Sequence, residues 1–295
     1  MTTASDELPV GFVGLGNMGT PMARRLLDWP GGLTVCDVRA EATVPFVEAG
    51  ARAAADPAAL AAQARVICVT VVDDAQVREV LTGPAGILRT AVPGTVVAVH
   101  STIGDQTADE LATRCAQHGV EFVDAPVSGG APGATHGSLA VMIGGSAAAM
   151  DRIRAPFGCF ADLIVHAGDV GAGTRMKLAR NLLHFISFTA ATEAQRLADA
   201  AGLSLTALGK VVRHSDAVTG GPGAIMLRDT TAPLDPDDFW FPILGHVRDL
   251  GEKDLALALE LGDRLGVDLP LAHLAIARLA DGLGVAGAVL DKETS

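Results

Sequence analysis

The chain has 295 residues, of which 49% are hydrophobic, and its 22 basic and 34 acidic residues give a formal net charge of −12. That length accommodates two domains with substantial cores, while the negative charge disfavours nucleic acid or an anionic membrane as the main partner. The sequence contains no tyrosine, which excludes every mechanism whose proton donor is a tyrosine hydroxyl.

The cysteines and the N-terminus bear on where the protein works. Four cysteines lie far apart without a C-x-x-C pair, a pattern typical neither of a disulfide framework nor of a zinc site; they are Cys36, Cys68, Cys115 and Cys159. The N-terminus carries Asp6 and Glu7 but no long apolar leader, and no run reaches the length of a membrane span. We therefore expect a soluble, cytoplasmic protein.

The first motif is a glycine-rich turn. The apolar run Pro9–Val13 is followed at once by Gly14-Leu-Gly-Asn-Met-Gly19, and then by apolar residues at helical spacing. Between a strand and a helix, a G-x-G-x-x-G pattern predicts a dinucleotide site, because its glycines allow a tight turn, close approach of a pyrophosphate and close helix packing. The helix start adds free N–H groups for the phosphates. The expected cofactor-binding residues of this turn are Gly14, Gly16, Asn17, Met18 and Gly19.

An acidic residue indicates which dinucleotide binds. The second apolar run, Leu33–Cys36, ends in Asp37, at the distance from the glycines where dinucleotide folds place an acid. A carboxylate there accepts hydrogen bonds from the ribose hydroxyls and repels a 2′-phosphate, which favours NAD. Arg39 is either a partner for that phosphate or a solvated loop charge. The expected cofactor is NAD, with NADP as the alternative.

Strand and helix patterns alternate throughout the first half. The run from Arg65 to Val72 is almost continuously apolar, as is typical of a strand buried on both faces of a parallel sheet. We therefore predict an α/β domain with a mostly parallel sheet. Ser101 and Thr102 follow another strand, at the edge where such sheets bind ligands. They either contact the nicotinamide ribose or the substrate, or cap the next helix.

From Val170 the pattern changes to helix. Residues 175–201 contain neither proline nor glycine, and apolar residues lie on nearly every side, which predicts a long buried helix joining the two halves. Lys177 and Asn181 share one face of it. Burial lowers the pKa of a lysine toward neutrality, where the amine can accept and return a proton. The alternative is a lysine that reaches solvent or forms a buried ion pair.

The rest of the second half predicts further helices. Ser215–Asp238 is rich in Gly, Pro, Thr and Asp and predicts a long loop, while helices are expected to begin at Leu250 and to run from Leu271 to about Leu283. The aromatic cluster Phe239–Phe241 is either core or a wall on the cofactor ring. The histidines show no metal-ligand spacing, so no metal is expected. The predicted domains are residues 1–167, which bind the cofactor, and 168–295, which are all helical.

Taken together, the motifs resemble the β-hydroxyacid dehydrogenase family, of the 3-hydroxyisobutyrate dehydrogenase and tartronate semialdehyde reductase kind, and more distantly 6-phosphogluconate dehydrogenase. The resemblance spans almost the whole chain, and it is carried by Gly11–Gly19, His100–Ile103, Asp124–Gly137, Gly171–Asn181 and Lys253-Asp254. It implies a Rossmann-like domain followed by an all-α domain on a long central helix, usually in a homodimer or homotetramer.

The resemblance also implies the roles of individual residues. Lys177 is the expected catalytic acid/base, and Asn181 positions the substrate oxygen. The substrate carboxylate is bound by Ser128, Gly129 and Gly130. Two further residues are expected on the cofactor side of the site, Thr102 and Lys253. The implied reaction moves a hydride between the nicotinamide and a small β-hydroxy acid or the matching semialdehyde.

One departure and three rival functions qualify this expectation. The 3-hydroxyisobutyrate branch commonly has a second Asn before Asn181, where this chain has Arg180, which either faces solvent or a partner subunit or adds charge to the pocket. Imine reductases share the fold but generally place Asp or Tyr at the proton-transfer position, unlike Lys177. A non-catalytic NAD(P)-binding sensor need not keep the Lys–Asn pair. A 2-hydroxyacid dehydrogenase needs a His–acid–Arg set, for which the sequence offers no convincing candidate.

Overall fold

In the computed structural model, the described residues are 8–228 and 230–286. Asp6 and Glu7, the acidic residues noted at the N-terminus, lie outside the described residues. The chain separates into two units, residues 1–180 and 181–295, which are described one by one. The domain boundary predicted between residues 167 and 168 stays a prediction. Within the described residues, every helix is too short or too polar to cross a membrane.

The first unit is built on one sheet. Its strands are β1 (Val10–Val13), β2 (Leu33–Cys36), β3 (Arg52–Ala53), β4 (Val66–Val69), β5 (Val96–Val99), β6 (Glu121–Asp124), β7 (Val127–Ser128), β8 (Leu139–Gly144) and β9 (Ala161–Gly168). Their order in the sheet is β3-β2-β1-β4-β5-β6-β8-β7, with β9 also paired to β8. All of the pairs are parallel except β6–β8 and β7–β8. The mostly parallel α/β sheet is thus confirmed.

Helices cover both faces of this sheet because its strands are apolar on both sides. Along β4, the side chains of Val66 and Cys68 join one buried cluster, while those of Ile67 and Val69 join the other. Strict alternation of this kind is what a strand with two buried faces requires. The helices are α1 (Gly19–Arg24), α2 (Val44–Glu48), α3 (Pro57–Ala61), α4 (Asp74–Thr82), α5 (Asp105–Gln117), α6 (Gly130–His136) and α7 (Ala147–Phe157).

The helical part of the chain begins with α8 (Ala172–Ala200), which starts in the first unit and continues into the second, followed by α9 (Leu205–Thr219), α10 (Trp240–Leu265) and α11 (Pro270–Gly282). The last of these confirms the helix predicted from Leu271. Two predicted boundaries are wrong, because α9 continues past Ser215 and α10 begins ten residues before Leu250. Pro242 lies in the first turn of α10, where the missing N–H costs nothing.

The prediction that the long helix is buried is wrong for the single chain. On α8 the side chains of Leu182 and Phe185 are 64% and 60% exposed, and those of Ile186 and Phe188 are also exposed. The apolar pattern indicates that the side chains of a helix are buried against another surface. It does not indicate whether that surface belongs to the same chain or to another one. In this chain the described residues leave that side of α8 open.

Candidate active site

The three glycines of the turn between β1 and α1 have two different roles, since two are required by the fold and one leaves the backbone open. Gly14 has a φ of +93°, and a Cβ there would collide with the carbonyl of Thr70; a Cβ on Gly19 would collide with the carbonyl of Gly14. These two positions therefore need glycine for the fold itself. Gly16 is different, since an added Cβ would meet no protein atom within 4 Å. The backbone at Gly16 is open to a ligand, next to Asn17 and Met18.

Asp37, at the end of β2, is tied to this turn. Its Oδ2 accepts a hydrogen bond from the N–H of Leu15 at 2.6 Å, and its Oδ1 accepts from the backbone N–H and Nε of Arg39 at 2.9 and 3.2 Å. Burial alone would raise the pKa of Asp37, but the N–H groups of Arg39 and Leu15 and the Arg39 guanidinium together lower it. Asp37 is thus a carboxylate at neutral pH.

A cavity of about 590 Å³ lies beside the turn, between the ends of β1, β2 and β4. Nucleotides bind at this edge of a parallel sheet. The described residues that line the cavity include three carboxylates, Asp37, Asp56 and Glu79, and one guanidinium, that of Arg39. Thr70 also lines it, and within the described residues its buried hydroxyl has no hydrogen-bond partner. The open backbone at Gly16 and this adjoining cavity fit a dinucleotide.

Ser101 and Thr102 behave differently from each other. The Ser101 hydroxyl donates to the carbonyl of Val71 at 2.8 Å and accepts from its N–H at 2.9 Å, so Ser101 joins the turn after β5 to the turn after β4. The alternative that Ser101 or Thr102 caps the next helix is wrong, because the N-cap residue of α5 is Gly104 and no side chain caps this helix. Thr102 is exposed at the same sheet edge. Its contact with the cofactor stays a prediction.

His100 connects the ends of two central strands below this edge. The buried ring lies within 2.8 Å of the Ala125 carbonyl through Nδ1, and it packs against Phe12, Phe157 and Phe160. A carbonyl can only accept, so Nδ1 carries the proton. Burial lowers the pKa of His100 to about 4, against the opposing effect of the Ala125 carbonyl. The ring is therefore neutral at physiological pH.

The stretch Asp124–Gly137, which its glycines predict to run from a strand end into a glycine-rich loop, contains two short elements, β7 and α6, so the prediction of a plain loop is wrong. Neither is readable from sequence, because β7 has only two residues and α6 consists largely of Gly, Ala and Pro. The chain turns from β7 into α6 through Gly129 and Gly130, whose φ angles are +131° and +65°. Ser128 is half-buried and both glycines are exposed. The turn therefore presents its backbone to solvent beside the Ser128 hydroxyl.

Lys177 lies on α8 and is only 8% exposed. Its Nζ donates a hydrogen bond to the Val127 carbonyl at 2.6 Å, one residue before Ser128. No carboxylate among the described residues forms an ion pair with it, so both alternatives, a solvent-reaching lysine and a buried ion pair, are wrong. Burial lowers the pKa of Lys177, and the charge of Arg180 lowers it further. The structure thus brings the amine and the Ser128 turn together.

The other two predicted site residues lie in the second unit. Asn181 is half-buried on α8, four residues after Lys177 and so on the same face of that helix. Lys253 lies on α10, where its largely exposed side chain pairs with the neighbouring Asp254 at 3.1 Å. The roles proposed for both residues rest on the sequence resemblance.

One buried carboxylate beside this site went unassigned in the sequence. Asp124 ends β6 and is 1% exposed. Its Oδ1 accepts from the N–H of Gly171 at 2.7 Å, and its Oδ2 accepts from that of Thr174 at 2.6 Å. Burial raises the pKa of Asp124, while the hydrogen bonds from Thr174 and Gly171 oppose the rise. Its signals in the sequence are an acid directly after the apolar pair Phe122-Val123, at a strand end, and its place at the start of the motif Asp124–Gly137.

Comparison with known proteins identifies the family. Residues 9–168 match the family model for the NAD-binding domain of 6-phosphogluconate dehydrogenase, and residues 171–294 match that for the NAD-binding domain of NADP-dependent 3-hydroxyisobutyrate dehydrogenase. The chain belongs to the β-hydroxyacid dehydrogenase family. Its members among the comparisons are oxidoreductases and hydroxyacid dehydrogenases, so this protein is an NAD(P)-dependent dehydrogenase.

Two relatives span nearly the whole chain. An uncharacterized oxidoreductase of Mycobacterium tuberculosis is 61% identical over 284 residues, which are 96% of each protein. The 2-(hydroxymethyl)glutarate dehydrogenase of Eubacterium barkeri is 32% identical over 269 residues, which are 91% of this chain and 87% of the relative. The second of these two relatives is named for a hydroxy acid, 2-(hydroxymethyl)glutarate.

Solved structures agree with the family. An oxidoreductase of Mycobacterium avium is 56% identical, with a TM-score of 0.90 over 94% of this chain and 99% of that one. A 3-hydroxyisobutyrate dehydrogenase of Mycobacterium tuberculosis, solved with L-serine, is 30% identical with a TM-score of 0.65 over 92% of both chains. An imine reductase of Myxococcus stipitatus is 18% identical with a TM-score of 0.73 over 95% and 94% of the two chains, a likeness of fold alone.

Proposed function

We propose that this protein oxidises a small β-hydroxy acid with NAD, or reduces the matching semialdehyde, with Lys177 as the general acid/base. One observation carries the proposal. The buried amine of Lys177 hydrogen-bonds the carbonyl of Val127, directly before Ser128 and the exposed turn at Gly129 and Gly130. A proton-transfer group and a candidate carboxylate site are therefore next to each other at the sheet edge that binds the cofactor.

The turn after β7 supplies donors for a carboxylate. In a chain with a net charge of −12, an anionic substrate has to be held by local N–H and O–H groups rather than by the overall field. The Ser128 hydroxyl and the N–H groups of Gly129 and Gly130 serve this purpose. The positive φ angles of both glycines let the backbone approach a ligand that a side chain would hinder.

Lys177 moves the proton. In oxidation its neutral amine accepts the hydroxyl proton of the substrate, and in reduction its ammonium protonates the forming alkoxide. When bound, the nicotinamide supplies the hydride acceptor or donor. Burial and the charge of Arg180 both favour the neutral amine, which is the form that oxidation requires. Asn181, one turn further along α8, holds the reacting oxygen by a hydrogen bond.

The substrate class rests on shared chemistry. The comparison proteins are named for 3-hydroxyisobutyrate and for 2-(hydroxymethyl)glutarate, and one was solved with L-serine. In each of these compounds a hydroxyl is attached to the carbon β to a carboxylate. A site with a carboxylate turn and a proton acceptor side by side suits that spacing. Arg180 distinguishes this chain, so the best substrate is expected to reflect its added charge.

NAD is the preferred cofactor in this proposal. A 2′-phosphate in the cavity would face Asp37, Asp56 and Glu79, and Arg39, the cation among the described lining residues, is already paired with Asp37 at 3.2 Å. Like charges at close range disfavour the phosphate. Ribose hydroxyls, in contrast, can donate to the remaining lone pairs of Asp37. Thr102 and Lys253 complete the proposed cofactor contacts.

The active form is proposed to be a homodimer or homotetramer. Several apolar side chains are exposed close together along α8, with Phe185 at 60% exposure, and a cluster of exposed apolar residues is typical of a protein–protein interface. Light scattering coupled to size exclusion measures the state directly, and Phe185→Glu is expected to lower the mass. A wild-type protein of 30.1 kDa in solution would overturn this part of the proposal.

The test follows nicotinamide absorbance with the purified protein, NAD or NADP, and a panel of 3-hydroxyisobutyrate, 3-hydroxypropionate, serine and glycerate. Oxidation of at least one acid with NAD is expected. Lys177→Met should keep NADH binding but lose turnover by roughly a hundredfold or more, the usual share of a positioned acid/base. Near-normal turnover in that variant would overturn the role of Lys177.

The same assay separates the rival functions. A cyclic amine serves as the control substrate, and its turnover without that of any acid would favour an imine reductase. NADH binding without turnover of any compound would favour a non-catalytic cofactor sensor. A preference for NADP would overturn the argument from Asp37 and indicate that Arg39 pairs with the 2′-phosphate.

A further inference from the structure

Asp124 binds the start of a helix that is remote in sequence. The first N–H groups of a helix have no partner within it, and the two carboxylate oxygens of Asp124 accept those of Gly171 and Thr174, at the start of α8. The aspartate stands 47 and 50 residues before these two partners. It therefore caps the first turn of α8, as an N-cap side chain would. The cap comes from the end of β6, however, and not from a residue next to the helix.

Two glycines, Gly144 and Gly173, pack so closely around Asp124 that the neighbouring backbones have no free space between them. A Cβ on Gly144 would collide with Oδ1 of Asp124, and a Cβ on Gly173 would collide with the carbonyls of Met142 and Asp124. The backbones of β6, β8 and α8 are thus in direct contact around the carboxylate. In so close a packing, a small change in the aspartate displaces the helix rather than being absorbed by side chains.

The same two segments meet a second time at Lys177. Thr174 and Lys177 are three residues apart on α8 and both are buried, and their partners Asp124 and Val127 are also three residues apart. The hydrogen bond from Thr174 to Asp124 and that from Lys177 to Val127 therefore run side by side. They tie one turn of α8 to the segment that leads into Ser128.

We propose that Asp124 is a positioning residue for the reaction: its carboxylate holds the first turn of α8 at the distance that places the Lys177 amine beside the Ser128 turn. This inference rests on the proposed role of Lys177 and adds a residue to which that proposal gives no function. Without the two bonds of Asp124, the hydrogen bond from the Lys177 amine to Val127 would have to hold this turn of α8 against the segment before Ser128, and that amine is the group that has to move a proton.

The test compares Asp124→Asn with Glu193→Gln. Asparagine keeps the volume but presents an NH₂ group to one of the two N–H donors. Glu193 is a matched control, because its buried carboxylate accepts from the N–H groups of Leu271 and Ala272, at 2.8 and 3.2 Å, at the start of α11. Both changes remove a remote carboxylate cap, but only one adjoins Lys177.

Asp124→Asn is expected to lower kcat about tenfold to a hundredfold, since a misplacement of about 1 Å costs up to that much. The dissociation constant for NADH should stay within about twofold of wild type, because the glycine-rich turn is untouched. Glu193→Gln should lower the melting temperature while leaving kcat within about twofold. Equal losses of kcat in the two variants would overturn the proposal.

A second readout does not depend on turnover. The chain has only four lysines, at positions 177, 210, 253 and 292, so NMR with isotope-labelled lysine follows the titration of Lys177 itself. In Asp124→Asn the pKa of Lys177 should rise, because the amine is less firmly buried against Val127. An unchanged titration together with an unchanged kcat would overturn the proposal, whatever the loss of thermal stability.

A third variant covers failure to fold. Asp124→Ser is smaller and retains one acceptor for an N–H group, and the same changes are expected of it. If neither variant folds, the carboxylate serves the fold alone and the inference is abandoned. The outcome is separable from the proposed function. A fully active Lys177→Met refutes that function, whereas an inactive Lys177→Met beside a normal Asp124→Asn refutes only the inference.

Discussion

Replacing Gly16 with alanine separates the part of the glycine-rich turn that folds the protein from the part that the cofactor is proposed to occupy. In the free protein a Cβ at Gly16 meets nothing within 4 Å, and its φ lies outside the left-handed region. The free energy of unfolding should therefore stay level or rise by about 0.4–1 kcal/mol, through the lower entropy of the unfolded chain. A bound pyrophosphate, in contrast, would meet the new methyl group.

The loss of affinity follows from that crowding. Overpacking costs about 1–3 kcal/mol, which corresponds to NADH binding that is weaker by about fivefold to 140-fold, at 1.4 kcal/mol for each factor of ten. Gly14→Ala is the matched control. It forces alanine into a positive φ and against the Thr70 carbonyl, at a cost of about 1–2 kcal/mol for the backbone and about 1–3 kcal/mol for the overpacking.

Two measurements check the prediction. Urea unfolding without cofactor gives the stabilities, and titration of the protein with NADH gives the affinities. Gly16→Ala should unfold like wild type and bind NADH weakly, while Gly14→Ala should unfold at clearly lower urea. If Gly16→Ala destabilised the free protein as much as Gly14→Ala does, or bound NADH as tightly as wild type, the proposed path of the pyrophosphate over Gly16 would be refuted.

Three further predictions concern ionisable residues near the site, Arg180, Asp37 and His100. Arg180→Gln removes the charge that helps lower the pKa of Lys177, so the rise of kcat/KM for oxidation with pH, which needs the neutral amine, should move to higher pH in an initial-rate profile. Asp37→Ser removes the carboxylate that is proposed to face the 2′ position, so the ratio of kcat/KM for NAD over NADP should fall at least tenfold, whereas an unchanged ratio would contradict its role. His100 has a pKa lowered to about 4 by burial, so its contribution to stability is complete above its ordinary value of 6.5 and is lost as the pH falls from there toward 4. His100→Phe should therefore flatten the acid side of a plot of unfolding free energy against pH, and a slope like that of wild type would argue against a buried neutral histidine.

Most of the first unit could be predicted because its signals are local. The strand β4 shows its apolar run within a few residues, and the turn from Gly14 to Gly19 contains its own glycines. Among the elements missed, β3, β7 and α6 are too short or too rich in glycine to form a pattern. Length and periodicity thus decided which elements the sequence could show.

The candidate site was predicted only where its chemistry is local as well. Lys177 was recognisable from its motif, and its burial is confirmed. The partners of Ser101 and Asp124 were not, because Val71 lies 30 residues from Ser101, and Gly171 and Thr174 lie 47 and 50 residues from Asp124. A hydrogen bond over such a separation depends on how strands and helices pack, and no periodicity in the sequence records it.

The same reasoning explains why α8 was predicted wrongly. A helix of a soluble protein usually buries its apolar side and exposes its polar side, but in α8 the buried residues include Thr174 and Lys177, while Leu182 and Phe185 are exposed. Burying an amine and a helix start is costly unless each finds a partner, and the partners here are Val127 and Asp124. Such an arrangement is hard to account for by stability alone, because an apolar residue in place of Lys177 would need no partner at all. It is the arrangement expected where a helix is held by the side that carries its proposed functional group and leaves its apolar side for another surface.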